Sequence, residues 1–340
     1  LSAMRPQSVR TRITDLFGIR HPILCGGLMW LADANYVAAA ANAGSIGFMT
    51  AKTFPDPGRW KEELEKANAL SNGNPIGVNL YISQRPEENE MLSGHADLAL
   101  QAGVRRFETA AMPPAELVKQ LKDAGAVVIH KVASVRHAVS AATKLDIDAV
   151  SVVGMECGGH PGLNMIGNMV QGVLAALRVD IPVVIGGGIG HGRQVAGALS
   201  FGAEGVILGT RLLVASEIWS HDAVKKRVIE ADETGSRLVL ASMRNTYRVM
   251  DNQTARTVAE LEASGANDYE SYREHVRGTL QREAYEEGDP EKGLLSMGQS
   301  AVFADRIEPL GDIIDRMVDE MDEALDRLNS LRVSHEAAAE

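Results

Sequence analysis

Cysteine is nearly absent: Cys25 and Cys157 are the only two among 340 residues. Two cannot build a disulfide framework, and their separation matches no metal-ligand spacing. No metal site is therefore expected, and both read as reduced thiols of a cytoplasmic protein. Aromatic residues are almost as scarce, at 4%, although 45% of the chain is hydrophobic. A core with so few rings must be built of Val, Ile, Leu and Ala, the composition of buried parallel strands. No apolar run reaches the roughly 18 residues of a membrane-spanning helix. Positive charge is outweighed, with 34 Lys and Arg against 45 Asp and Glu and a net charge of -11. Such a balance disfavours nucleic acid and anionic membranes as partners. It leaves a local phosphate site open, because backbone N–H groups bind phosphate without side-chain charge. Residues 1–12 are basic but no apolar stretch follows, so no signal peptide is expected. The start at leucine rather than methionine reads as a trimmed or tagged chain.

What the chain does have is a βα rhythm. Apolar runs at 22–26, 46–50, 75–80, 104–108, 126–131, 147–153, 181–187 and 204–209 are separated by amphipathic stretches such as 32–43, 57–70, 113–124, 134–144, 166–178 and 192–201. Strands alternating with helices at this spacing imply βαβ units and a parallel sheet. Eight such units allow closure, so the expected fold is α/β, a TIM-type (β/α)8 barrel over residues 10–218; an open doubly wound sheet is the competing architecture. After 218 the β period disappears. A helical domain is expected over 219–305, with helices near 221–233, 255–264, 268–285 and 291–300. A last helix within 306–333 docks back through Ile313, Ile314, Met317, Met321, Leu325 and Leu328 on one face, and 334–340 form a disordered tail.

In such a barrel the chemistry belongs at the C-terminal ends of the strands, and here those ends are rich in glycine and polar residues. Gly186, Gly187 and Gly188 follow the seventh run, and Gly209 and Thr210 the eighth. Glycine lets the backbone approach phosphate oxygens closely, and the loops after strands 7 and 8 are the usual phosphate cradle of this architecture. Asn79 and Lys131 close the third and fifth runs, where they can meet the polar edge of a ring; a positive charge there would stabilise an electron-rich ring. His160 stands among glycines after the sixth run, placed as a base or donor near neutral pH. His130, one residue from Lys131, alternates to the other face and is expected to pack. Cys157 reads as a small buried loop residue.

These segments resemble the nitronate monooxygenase, or 2-nitropropane dioxygenase-like, family, and within it most closely the NADH:quinone reductase branch. The resemblance runs through PILCGGLMW (22–30), PIGVNL (75–80), VVIHK (127–131), DAVSVVGMECGGHPG (148–162), IPVVIGGGIGHGR (181–193), GAEGVILGTRLLVASE (202–217) and SMRNTYRV (242–249). It implies an FMN-containing barrel with a smaller helical domain. Gly26, Gly27 and Leu28 would contact the isoalloxazine, Asn79 and Lys131 its polar edge, and Gly187, Gly188, Gly209 and Thr210 the phosphate. Glu156, Gly158 and Gly186 are counted with the cofactor-binding set, and His160 matches the family's base. Met29 and Trp30 would wall the substrate pocket, and Gln84, in a Gln-x-Pro after strand 3, would face NADH or NADPH as co-substrate. The chain departs from that branch at Val153, where an acidic residue is expected. It departs again at Leu163-Asn164-Met165, which replaces an acidic run, and in a shorter loop at 81–86.

The expected activity is that of an FMN-dependent oxidoreductase oxidising alkyl nitronates with O2. NAD(P)H:quinone reduction and enoyl C=C reduction are the alternatives in the same class. A sugar-phosphate isomerase or lyase barrel is the alternative of another class, one that leaves Gly26, Gly27, Asn79 and Lys131 without a role. The partner is a small molecule, and a homodimer is allowed for.

Overall fold

The computed structural model describes residues 6–332. Eight parallel strands close a barrel: β1 (Ile23–Cys25), β2 (Ile46–Thr50), β3 (Gly77–Ile82), β4 (Arg106–Ala111), β5 (Val127–Val132), β6 (Ala149–Val153), β7 (Val183–Gly186) and β8 (Gly205–Leu208). Each pairs with its sequence neighbour, and β1 meets β8 with Ile23 opposite Val206 and Cys25 opposite Leu208. All eight fall on the expected apolar runs. The expected tail at 334–340 lies outside the described residues.

The barrel's inside changes character along its axis. At the N-terminal end the short helix Arg12–Phe17 closes the floor, and its Ile13 and Phe17 pack with Leu24, Ile46, Phe48, Ile129, Ala149, Val184 and Ile207. Toward the strands' C-terminal ends the buried positions become polar: Thr50, Asn79, Glu108 and Ser151. An apolar plug below and buried polar side chains above make one end structural and the other chemical.

Residues 219–300, expected to be helical, contain β structure. Ser236–Val239 (β9) and Tyr247–Met250 (β10) form an antiparallel hairpin, with Tyr247 opposite Val239. The expected helix at 268–285 is two helices, Tyr269–Val276 and Gly278–Glu287, divided at Arg277, whose ψ of 127° is extended. The stretch expected to be helical at 291–300 crosses the barrel top without α-helix and ends in a 3-10 turn, Gln299–Phe303.

The last helix, Leu310–Ser330, packs across the helix Gly192–Ser200 through Ile313, Ile314, Met317 and Met321. The crossing is close because residue 192 is glycine: a Cβ there would land on the Met317 carbonyl and the Met321 amide. Backbone cannot yield as a side-chain tip can. Gly192→Ala is therefore expected to cost about 3 kcal/mol by overpacking, read as a fall of several degrees in the thermal midpoint. An unchanged midpoint would mean the two helices part without penalty.

Candidate active site

A cavity of about 630 Å³ opens at the C-terminal ends of the strands, a size typical of small-molecule sites. Of the sixteen residues expected to form the site, thirteen line it: Gly26, Gly27, Leu28 and Met29 after β1; Asn79 and Gln84; Lys131; Gly158 and His160; Gly187 and Gly188; Gly209 and Thr210. The barrel brings them together from six separate stretches of the chain.

The glycine turns are built for close approach. Gly187 and Gly188 have φ of 90° and 72°, a left-handed pair that side chains resist. A Cβ on Gly188 would stand 2.8 Å from the Glu156 Cβ. Gly209 differs: its nearest neighbour in the Cβ direction is Leu28 Cδ2 at 3.8 Å, so its outer face is open to the cavity. Thr210 begins the 3-10 helix Thr210–Val214, whose first N–H groups have no partner within the helix and suit an anion. The Thr210 hydroxyl accepts from the Gly298 amide at 2.8 Å, and Ser296 and Ser300 on either side also line the cavity. Beneath this turn Arg211 is buried and donates to Glu308 at 2.9 Å, and Arg316 holds the same carboxylate. This ion pair fastens the 3-10 helix to the segment before the last helix.

Three expected residues do not reach the cavity wall. Glu156 turns behind the β7 glycines, where its Oε1 accepts from the Asn168 amide at 3.0 Å and caps the next helix. Gly186 is packed inside the barrel, a Cβ there meeting Val153 Cγ1 at 2.9 Å. Trp30 has φ 69°, which swings its ring away from the β1 turn; Arg282 lies over that ring at 5.8 Å, and Trp219 Nε1 donates to the Trp30 carbonyl at 2.8 Å. It joins the barrel to the added helices.

Lys131 Nζ donates to Glu108 at 3.0 Å, and Asn79 Nδ2 donates to the same Glu108 oxygen. Asn79 and Glu108 are register partners on β3 and β4. Ile129 faces Glu108 on β5, and Lys131, two residues on, shares its face and leans back. His130 alternates outward as expected: it is buried against Thr109 at 2.8 Å, and burial pushes it down to about 4. Burial raises the Cys157 thiol to about 11, which disfavours the thiolate at this cavity-lining position.

His160 owes its geometry to the hairpin. Gly159 and Arg248 exchange backbone hydrogen bonds of 3.0 and 2.7 Å, which lashes the histidine loop to β10. The His160 ring stacks on Tyr247 at 4.6 Å, and Nδ1 lies 3.1 Å from the Thr246 carbonyl. A carbonyl only accepts, so the proton sits on Nδ1 and the lone pair on Nε2. Burial lowers the pKa below the ordinary histidine value, against the two backbone hydrogen bonds that raise it. At neutral pH His160 is an uncharged imidazole able to take a proton.

Sequence reasoning missed Glu108, the hairpin, and the Tyr247, Tyr285 and Gln281 side chains that line the cavity from the added elements. The runs SRLVL and TYRVM, flanking ASMRN, carry the hairpin signal of β-branched and aromatic residues around a turn.

Among known proteins, the family model for nitronate monooxygenase matches residues 10–320. The (3aS,4S,5R,7aS)-5-hydroxy-7a-methyl-1-oxo-octahydro-1H-indene-4-carboxyl-CoA dehydrogenase of Mycobacterium tuberculosis (strain ATCC 25618 / H37Rv) is 36% identical over 229 residues, 67% of this chain and 62% of that relative. The protein of the same name from Rhodococcus jostii (strain RHA1) is 30% identical, over 96% of this chain and 99% of its own length. The solved structure of FabK from Thermotoga maritima is similar at a TM-score of 0.85 and 30% identity, covering 96% of this chain and 100% of that one.

Proposed function

The chain belongs to the nitronate monooxygenase family, and we propose that it is an FMN-dependent oxidoreductase whose His160 takes a proton from a substrate carbon beside an electron-withdrawing group. Family membership makes it an oxidoreductase and sets aside the sugar-phosphate isomerase or lyase.

The residues fit the cofactor. The open face of Gly209 leaves room for a phosphate beside Thr210, Gly26 and Gly27 leave room for a flat ring, and Asn79 and Lys131 supply donors for its polar edge. When bound, FMN supplies the two-electron redox chemistry that no side chain here can. The protein's part is to orient, to exclude water and to move a proton.

The observation that carries the reading is the contact of His160 Nδ1 with the Thr246 carbonyl, which assigns the tautomer. With its N–H spent on the Thr246 carbonyl, the imidazole offers Nε2 as a base. A base is what a carbon acid needs. A nitroalkane loses its α-proton to give the nitronate that the family oxidises, and this is the first reading. An acyl thioester also carries an acidified α-proton, though a far weaker acid than a nitroalkane's, and the relatives named as CoA dehydrogenases favour it as the second. Gln84 at the cavity mouth keeps NADH or NADPH in view as an electron source.

The test is an anaerobic stopped-flow mix of the purified protein with a nitroalkane in its protonated form, an acyl-CoA and NADH in turn, following the long-wavelength flavin band. Bleaching by the nitroalkane supports the first reading and bleaching by the thioester the second. Bleaching by NADH alone would make the protein a reductase, and a colourless protein that takes up no FMN would overturn the cofactor.

A further inference from the structure

Under Asn79 and Lys131 lies a carboxylate that the reading so far leaves without a task. Glu108 is fully buried. Its Oε1 receives both Asn79 and Lys131, and its Oε2 is buried with no hydrogen-bond partner among the described residues. Burying a charge this deeply is costly unless its partner compensates, and a neutral acceptor would have served to hold two donors. What a carboxylate adds is charge. The Lys131 side chain is 24% exposed and Glu108 0%, so the cavity meets an ammonium in front and its counter-charge behind.

We propose that Glu108 is a positioning residue that aims Asn79 and Lys131 into the cavity and, by offsetting the Lys131 charge, sets the reduction potential of the bound flavin. This rests on the FMN reading above. Lys131 favours the electron-rich reduced ring, and Glu108 opposes it from one side chain further back. The balance between them fixes how much more tightly the site holds reduced than oxidised FMN.

The experiment measures the FMN potential, by dye-linked titration, in the parent protein, Glu108→Gln, Lys131→Gln and the double variant. A unit charge a few ångströms away at an effective dielectric of about 20 changes such a ratio by at least about tenfold, which for a two-electron couple is about 30 mV. Glu108→Gln is expected to raise the potential by at least that much, and Lys131→Gln to lower it. The double variant should lie between the singles. A role confined to folding would lower stability and leave the potential where it was. A flavin-loaded Glu108→Gln at the parent potential would overturn the proposal. Should Glu108→Gln fail to fold, the double variant against Lys131→Gln decides: a higher potential in the double supports the role, and equal potentials overturn it. A parent protein that holds no FMN is a different result, which removes the cofactor reading and this inference with it.

Discussion

Replacing His160 with alanine is expected to cut turnover by about two to four orders of magnitude while the protein keeps its flavin. The separation of the two effects follows from where the residue stands. His160 is held by Thr246 and Tyr247 of the hairpin, not by the glycine turns, so its loss leaves those turns, the proposed phosphate cradle, intact. The pH dependence gives an independent check. The base works only with Nε2 unprotonated, so kcat/KM should be level near neutrality and fall as pH drops through the His160 pKa. Burial sets that pKa below the ordinary histidine value, so the acid limb should lie lower than for a free imidazole. Turnover unaffected by the alanine, or an acid limb still present in it, would remove His160 from the chemistry.

Gly209→Asp is expected to weaken FMN binding by about a hundredfold without disturbing the fold. Nothing in the protein stands within 3.8 Å in the Cβ direction. The new carboxylate projects toward the cavity, where like charge against a phosphate a few ångströms away costs a few kcal/mol at an effective dielectric of about 20. Flavin content on purification and titration of the apoprotein measure it, with circular dichroism as the control. Gly188→Val is the less informative change: its left-handed φ and its Cβ contact with Glu156 damage the turn itself, so fold and cofactor would be lost together. A Gly209→Asp protein that holds FMN as tightly as its parent would put the phosphate elsewhere.

The barrel was legible in the sequence because buried parallel strands are mostly apolar runs, and these stand out between amphipathic stretches; only VRRFE at 104–108 is dominated by charge. The glycine ends were legible for the same reason, since tight turns and open backbone have few other solutions. Glu108 was not. A charged residue at the end of VRRFE reads as the point where a strand leaves the core, yet β4 continues to Ala111; only the approach of Lys131 and Asn79 from neighbouring strands makes the burial tolerable. Glu156 misled in the opposite sense: its place in the motif is at the cavity, but its side chain bonds the Asn168 amide behind it. Trp30 did so too, through a backbone φ that its residue type does not announce. The hairpin strands are four residues each, too short for alternation to outweigh the helical texture around them.

The turns after β7 and β8 are stitched to residues far along the chain. The Gly298 amide bonds the Thr210 hydroxyl, and Glu320 accepts from the Gly192 amide at 2.7 Å where the helix after β7 begins. Synthesis runs from the N-terminus at about 5–20 residues per second, so every barrel strand has been made while the braces at 298 and 320 are still to come. The cavity at the strand ends therefore gains these braces only after the last barrel strand has been made, so its geometry depends on residues synthesised well after the barrel itself.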